Sequence, residues 1–212
     1  MIILQFLGMM VIGYLVGAIP TGVITGKLTR GIDVREHGSG SMGMTNVMRT
    51  VGAKAGLIVL VVDVLKGAGV VALAWAVFYS AHHDMVHWGQ MAGGVAAVIG
   101  HIWPIYIGFR GGKGIATASG AIMVLSWQVG LICFAVFLLV VLAFRYISLG
   151  SIVAAIALVV SMAVFFIWYS GPAAYLAFSL TVAPVVIFRH RGNIKRLLAG
   201  TESKIGQKVK VK

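Results

Sequence analysis

The sequence predicts an all-α, polytopic integral membrane protein forming one domain over residues 1–212. Seven transmembrane helices are expected, with the N-terminus outside and the C-terminus in the cytoplasm. Three observations carry that expectation. Hydrophobic residues make up 60% of the 212 and charged residues only 10%, where a soluble globular domain carries roughly 25% charge. The apolar residues gather in runs near the length of about 20 that an α-helix needs to cross a bilayer. Lys and Arg fall in short loops that alternate with loops containing none, and basic loops stay on the cytoplasmic side. The 28 glycines and 4 prolines form no low-complexity or collagen-like pattern. The single cysteine, Cys133, sits in an apolar run, which excludes a disulfide framework and a cysteine-built metal site.

The first span is read at 2–26, which is too long for a cleaved signal peptide and lacks its basic leader. The second is 55–79 and the third runs from 91 to about 108. A long apolar stretch, 115–144, follows, then 147–169 and 172–188. No repeat and no linker divides the chain. Counted this way there are six spans, and the charges contradict six. Five Lys or Arg lie in 27–54, two in 110–113, one at Arg145 and eight in 189–212, with none in 80–90 or 170–172. Six spans would put the most basic segment, the tail, outside. A two-helix hairpin within 114–144, turning near Ser126-Trp127-Gln128, restores the parity. Its first arm is short, roughly 20 Å at 1.5 Å per residue, and sits tilted into protein or beside a thinned bilayer. Trp88, Trp127, Trp168 and Tyr169 then fall in an outer aromatic belt.

This topology puts three polar segments on the cytoplasmic face. The first runs from His37 through Gly38-Ser39-Gly40-Ser41-Met42-Gly43-Met44-Thr45-Asn46 to Arg49. The second joins Gly100-His101-Ile102-Trp103-Pro104 to Phe109-Arg110-Gly111-Gly112-Lys113-Gly114. The third runs from Arg189-His190-Arg191-Gly192-Asn193 through Lys195-Arg196 to Gly200-Thr201-Glu202. Glycines let backbone N–H groups approach a ligand, and helix N-termini aim partial positive charge at it. Lys and Arg add full charge, while hydroxyls and Asn add neutral donors. Together these make a phosphate-binding inventory. The net charge of +12 is thus read as orientation plus affinity for anionic lipid and small anions, with no nucleic-acid partner.

Other chemistries fit less well. Gly38-x-Gly40-x-x-Gly43 matches a dinucleotide fingerprint, but no strand precedes it, and Asp63, 20 residues on, lies inside a span. Residues 108–113 are one short of a Walker A loop, and Gly114 stands where Ser or Thr should follow the lysine. Asp63 and Lys66, three apart on one helix face, are read as an ion pair supporting the site. His82, His83, Asp84 and His87 fall in the outer loop and are not read as metal ligands; no metal and no cofactor is expected. There is no G-x-S-x-G elbow, no H-E-x-x-H, and no histidine followed five positions later by aspartate. With only Asp33, Glu36 and Glu202 in cytoplasmic segments, carboxylate acid–base catalysis is not expected. His190, with Asn193 on the same helical face, is the one cytoplasmic histidine in a plausible site. A transporter of phosphorylated anions would use similar loops, but it would want ionisable residues through the membrane, where only Asp63 and Lys66 are found.

The three segments resemble the motifs of the bacterial acyl-phosphate:glycerol-3-phosphate acyltransferase family, PlsY, over essentially the whole chain. The first is similar to that family's G-S-G-N-x-G-A-T-N-x-x-R, here Gly38 to Arg49, with Ser41 for Asn and Met44 for Ala. The second, continuing through Ile115-Ala116-Thr117, differs by Arg110 for Lys, and the third is close throughout. The resemblance implies seven spans and an enzyme of the bacterial inner membrane, multi-pass, with its active site on the cytoplasmic side. It implies acyl transfer from acyl phosphate to the 1-hydroxyl of glycerol 3-phosphate, giving lysophosphatidic acid and phosphate. It also implies catalytic roles for Ser39, Arg49, Lys113, His190 and Asn193. Substrate-binding roles would go to Gly38, Gly40, Gly43, Thr45, Asn46, His101, Gly111, Gly112 and Gly114, and Glu202 would be structural like Asp63 and Lys66. Proton removal falls either to His190 or to the acceptor's own phosphate, and the sequence does not choose. An intact Ser39, Arg49, Lys113, His190 and Asn193 argues against an inactive membrane scaffold.

Overall fold

The computed structural model describes residues 1–207. Ten α-helices hold most of them, and the described residues contain no strand. Lys208, Lys210 and Lys212, counted in the basic tail, lie outside the described residues.

The first apolar run is two helices, not one: α1 (Ile2–Gly17) and α2 (Thr21–Arg30). Pro20 explains the break, because it lacks an N–H and pushes Ile19 out of the helical region. A break within an apolar span frees backbone groups that lipid cannot satisfy. Here the Ile19 carbonyl accepts from the Thr21 N–H at 3.0 Å and from Lys66 Nζ at 3.3 Å. Lys66 belongs to α4 (Ala53–Ala81), whose ion pair with Asp63 closes at 2.8 Å with both side chains buried. Thr21 Oγ1 also donates to Asp63 Oδ1 at 3.1 Å. The expected ion pair is therefore present, and it holds the broken helix. The short α3 (Met44–Thr50) precedes α4.

Helix α5 (Val86–Ile102) begins five residues before the expected 91. Its buried Val86, Gly89 and Gln90 continue the face of Gly93 and Ala97, while the polar His87 and Trp88 stay exposed. It stops where Pro104 follows. The long apolar run divides into α6 (Ile115–Leu125) and α7 (Trp127–Phe144), with the break at Ser126, inside the Ser126-Trp127-Gln128 segment where a turn was expected. Ser126 Oγ caps α7 by accepting from the Val129 N–H at 3.5 Å. The Met123 side chain abuts Gly130, seven residues on, so the chain folds back there. The 11 residues of α6 make a rod of about 16 Å, half the ~30 Å hydrocarbon core. Beyond α8 (Ile147–Tyr169), α9 (Ala173–Arg189) bends by 55° at His190 into α10 (Arg191–Leu198). By length and composition five helical segments are able to cross a membrane, or six if α9 and α10 count as one broken span. That count leaves out α6, the arm expected to be short, so the seventh expected crossing rests on α6.

Small residues let the helices meet closely. A Cβ on Gly17 would overlap the Ala97 carbonyl and one on Gly100 the Tyr14 carbonyl, which fixes α1 against α5. Gly67 and Gly120 do the same between α4 and α6. One core cluster, including Val71, Ile102, Ile122 and Phe178, joins α4, α5, α6 and α9. A second, with Val23, Val34, Met42, Val47 and Val59, seats the loop between α2 and α3 on the bundle. The outward faces of α1, α4, α7 and α8 leave Leu7, Leu65, Leu139 and Val160 exposed, as helices facing hydrocarbon do.

Candidate active site

All three polar segments converge at one end of the bundle. The loop between α2 and α3 turns through left-handed backbone at Gly38 and Gly40, with φ of 61° and 69°. Asn46, buried at the start of α3, organises it. Its Nδ2 donates to the carbonyls of Val34 (2.8 Å), His37 (3.1 Å) and Ser41 (2.8 Å), and its Oδ1 accepts from the Ser39 N–H at 2.9 Å. Gly38 lies against Asn46 Oδ1 so closely that a Cβ there would collide. Of the two departures from the PlsY pattern, Ser41 accepts from the Gly43 N–H at 3.3 Å. Met44 packs against the apolar cluster under the loop. Arg35 pairs with Asp33 at 2.7 Å and donates to the Ile107 carbonyl at 2.8 Å, tying the first loop to the second.

The second loop folds back on the end of α5. Tyr14 donates to the Trp103 carbonyl at 2.8 Å. The N–H of Gly111 reaches the Ile102 carbonyl at 3.3 Å and that of Gly112 the His101 carbonyl at 3.1 Å. Gly112 lies directly on the His101 ring, where no Cβ would fit. His101 is itself buried, with Nδ1 at 2.9 Å from Lys66 Nζ and 3.6 Å from Asp63 Oδ1. The buried ion pair therefore supports the glycine turn from below. Gly114, at φ 85°, starts α6, leaving Lys113 at the mouth of that helix.

The third segment supplies the opposite wall. His190 is buried at the bend, with Nδ1 at 2.8 Å from the Val186 carbonyl; with Nδ1–H donating there, Nε2 keeps the lone pair. Lys113 Nζ donates to Asn193 Oδ1 at 2.6 Å, and Asn193 Nδ2 donates to Glu202 Oε1 at 2.7 Å. Glu202 accepts twice more, from Ser148 Oγ at 2.6 Å and from Arg196 Nε at 2.7 Å. Burial alone would raise the Glu202 carboxyl, but these three donors outweigh it and hold its pKa below the usual value. Burial pushes Lys113 down to about 8, opposed by Glu202 and assisted by Arg196, Arg49 and Arg189. Arg49 reaches the strap that follows α10, donating to the Ser203 carbonyl at 3.2 Å.

Between these walls lies a cavity of about 310 Å³ lined by Ser39, Gly40, Ser41, Gly111, Lys113, Arg189, Arg191, Gly192, Asn193, Lys195 and Arg196. Five cationic side chains and no carboxylate face it. Among the described residues no group of three or more His, Cys, Asp or Glu stands close enough to hold a metal ion. A cationic, glycine-walled cavity beside a helix N-terminus suits phosphate groups.

A family profile described as "Glycerol-3-phosphate acyltransferase" matches residues 7–200. The chain belongs to the glycerol-3-phosphate acyltransferase family. A relative of that name from Parasynechococcus marenigrum is 47% identical over 207 residues, which cover 98% of this chain and 93% of the relative. One from Thermoanaerobacter pseudethanolicus is 46% identical over 202 residues, covering 95% and 96%. The crystal structure of PlsY (YgiH), described as an integral membrane glycerol 3-phosphate acyltransferase, in its glycerol 3-phosphate form superposes with a TM-score of 0.84. Identity is 38%, over 95% of this chain and 96% of that one. Its lysophosphatidic acid form gives a TM-score of 0.81 at the same identity. The resemblance read from the three motifs holds, and the chain is an integral membrane acyltransferase of this family.

In this acyltransferase the sequence-predicted residues divide into two sets. Ser39, Gly40, Gly111, Lys113 and Asn193 line the cavity, while His190 is buried beneath it. Gly38, Gly43, Thr45, Arg49, Gly112 and Gly114 do not line it, nor do Asn46 and His101. Expected to bind substrate, Asn46 instead has its amide hydrogen-bonded to the loop backbone, and His101 is packed behind the glycine turn. Conversely, sequence reasoning left Arg189, Arg191, Lys195, Arg196 and Ser41 off the set of site residues. The spacing of four between Arg191 and Lys195 marks one helix face, but only the bend at His190 turns that face to the cavity.

Proposed function

We propose that this family member transfers an acyl chain from acyl phosphate to the 1-hydroxyl of sn-glycerol 3-phosphate, releasing lysophosphatidic acid and inorganic phosphate. The observation that carries the reading is the cavity itself. Two phosphate groups of near −2 each at neutral pH meet five cationic side chains: Lys113, Arg189, Arg191, Lys195 and Arg196. Acyl phosphate is already an activated mixed anhydride, so the protein needs mainly to align the hydroxyl on the carbonyl and to supply donors for the oxyanion and the leaving group. Lys113, carried by the Gly111–Gly112 turn, serves the departing phosphate, with Ser39 and Asn193 beside the reacting centre. Arg49, away from the lining, acts by holding the strap and by its field. Thr45, Gly38, Gly43 and Gly114 shape the loops, while Asn46 and His101 position them.

As the hydroxyl oxygen bonds to the carbonyl carbon, the bond from that carbon to the phosphate oxygen breaks, and the hydroxyl proton ends on phosphate. Glu202 is engaged by three donors and His190 is off the cavity wall, so a substrate phosphate oxygen is the better supported proton acceptor. No cofactor takes part.

We place the whole chain as one domain in a bacterial inner membrane, with seven crossings if α6 spans beside α4, the N-terminus outside, and the cavity and C-terminus on the cytoplasmic side. The exposed aromatics Trp88, Trp127, Trp168 and Tyr169 at the helix ends away from the cavity support this. So does the loop charge. Purified protein given palmitoyl phosphate and glycerol 3-phosphate should release phosphate and form lysophosphatidic acid. Comparable turnover with acyl-CoA, in the absence of acyl phosphate, would overturn the choice of donor. Gln128→Cys in a Cys133→Ser background should react with an impermeant thiol reagent in intact cells, and Lys54→Cys should not.

A further inference from the structure

Ser148 sits in the first turn of α8, outside all three motifs and within an apolar span, yet its hydroxyl is buried and makes the 2.6 Å bond to Glu202 Oε1. Nothing in the apolar pattern calls for a hydroxyl there. The strap that carries Glu202 is fixed at two further points. Arg49 donates to the Ser203 carbonyl at 3.2 Å, and the Ile205 N–H donates to the Arg145 carbonyl at 2.8 Å. The α7–α8 turn is thus joined to the cavity through the carboxylate of Glu202.

We propose that Ser148 and Glu202 are positioning residues that set which way the Asn193 amide faces, and so keep Lys113 a cation presented to substrate. The physical argument turns on donor and acceptor roles. An ionised carboxylate only accepts, so Glu202 Oε1 must meet Asn193 through its Nδ2, and Oδ1 is thereby turned to Lys113. An ammonium only donates, and it finds that oxygen at 2.6 Å. With the amide reversed, two donors would face each other and the charged form of Lys113 would lose its hydrogen-bond partner. Ser148, occupying the second position on Oε1, holds the carboxylate where this logic works. The other charges on Lys113 are Arg196 on α10, Arg49 on α3 and Arg189 on α9, all cations, and His190 stands nearby. Among these groups Glu202 is the sole anion, which is why its placement matters.

The test titrates Lys113 directly, so it does not depend on the proposed reaction. In the purified full-length protein, competitive labelling of the Lys113 amine by fluorodinitrobenzene across pH, read by peptide mass spectrometry, gives its titration midpoint. In Glu202→Gln the side chain can offer its own donor and carries no charge, so the midpoint should fall by about one unit. Ser148→Ala should shift it the same way by less, and Ser148→Thr should restore it. If Ser148 and Glu202 merely keep the strap folded, loosening it admits water and the midpoint rises toward that of a free lysine. A rise, or no movement in either variant, overturns the proposal. The activity readout rests on the acyl-transfer reading: the alkaline limb of kcat/KM should follow the labelling midpoint. An unmodified protein that never turns over acyl phosphate would sink that reading while leaving the midpoint test intact.

Discussion

Each wall of the cavity is organised by one polar side chain, and the two do so in opposite ways. In the first loop Asn46 offers both donors and an acceptor, and all its partners are backbone groups. In the third segment Glu202 only accepts, and all its partners are side chains: Ser148, Asn193 and Arg196. A neutral amide bonded to backbone fixes a shape. A carboxylate bonded to side chains fixes a shape and a field, because its charge acts on Lys113 and Arg49 as well. The first loop can thus be understood as a frame and the third segment as an electrostatic device, although both derive from equally polar motifs.

The largest effects should come from the electrostatic side. Lys113→Ala removes a charge-assisted contact in a desolvated site and should cost on the order of 2–5 kcal/mol, hence roughly 30- to several-thousand-fold in kcat/KM. Lys113→Arg keeps the charge but not the compact ammonium and should retain partial activity. Steady-state kinetics in both substrates measures this. If Lys113→Ala stays within about threefold of the unmodified protein, the phosphate site has been misplaced. On the frame side, Asn46→Asp is nearly isosteric yet turns an oxygen toward three carbonyls. It should lower unfolding stability by about 2–4 kcal/mol through lost donors and repulsion. Thermal unfolding in detergent should register it, with kcat/KM falling alike for both substrates. A stable Asn46→Asp protein with a defect confined to one substrate would move Asn46 from frame to contact.

Much of this arrangement was legible in the sequence. A turn near Ser126-Trp127-Gln128 followed from charge parity, and the Asp63–Lys66 pair from a spacing of three. The three phosphate-suited segments were plain because glycine, hydroxyl and basic residues stand out in an apolar chain. What was hidden depends on direction rather than composition. Pro20 sits in so apolar a stretch that hydropathy runs across the break it causes. Asn46 and His101 share motifs with true lining residues, and only the backbone path shows that they face inward to the protein. Arg189, Arg191, Lys195 and Arg196 counted toward the charge of the third segment, but which of them would face a ligand depended on the 55° bend that brings them to the cavity. Ser148 carried no signal, since a single serine in a membrane helix usually bonds its own backbone.

The two walls also differ in what pH can do to them. Asn46 does not titrate, whereas Lys113 does, with its pKa lowered by burial to about 8. Lys113 is charged below that value and neutral above it, so kcat/KM should decline above about pH 8, approaching tenfold per unit. Bound phosphate favours the ammonium, so the corresponding limb in kcat should lie at higher pH than the one in kcat/KM. A profile flat to pH 10 in kcat/KM would mean that Lys113 keeps its proton or that its charge is not used.

The smallest effect tests the boundary between frame and device. Ser41 belongs to the first loop and accepts from the Gly43 N–H at 3.3 Å, yet it also lines the cavity. If the loop is a frame, the hydroxyl matters for that turn and little else. Ser41→Ala should then cost about 0.5–1 kcal/mol of stability, the worth of one local side-chain cap. Ser41→Asn, the residue of the PlsY pattern, can accept from the same N–H through an Asx turn and should preserve stability. Both should leave kcat/KM within about threefold, since no charge is lost. Paired thermal melts and kinetics on the two variants decide the matter. A loss beyond about tenfold in Ser41→Ala without a change in melting would make this hydroxyl a substrate contact. The first loop would then share in the chemistry, and Asn46 would be the frame for a reacting surface and not only for a wall.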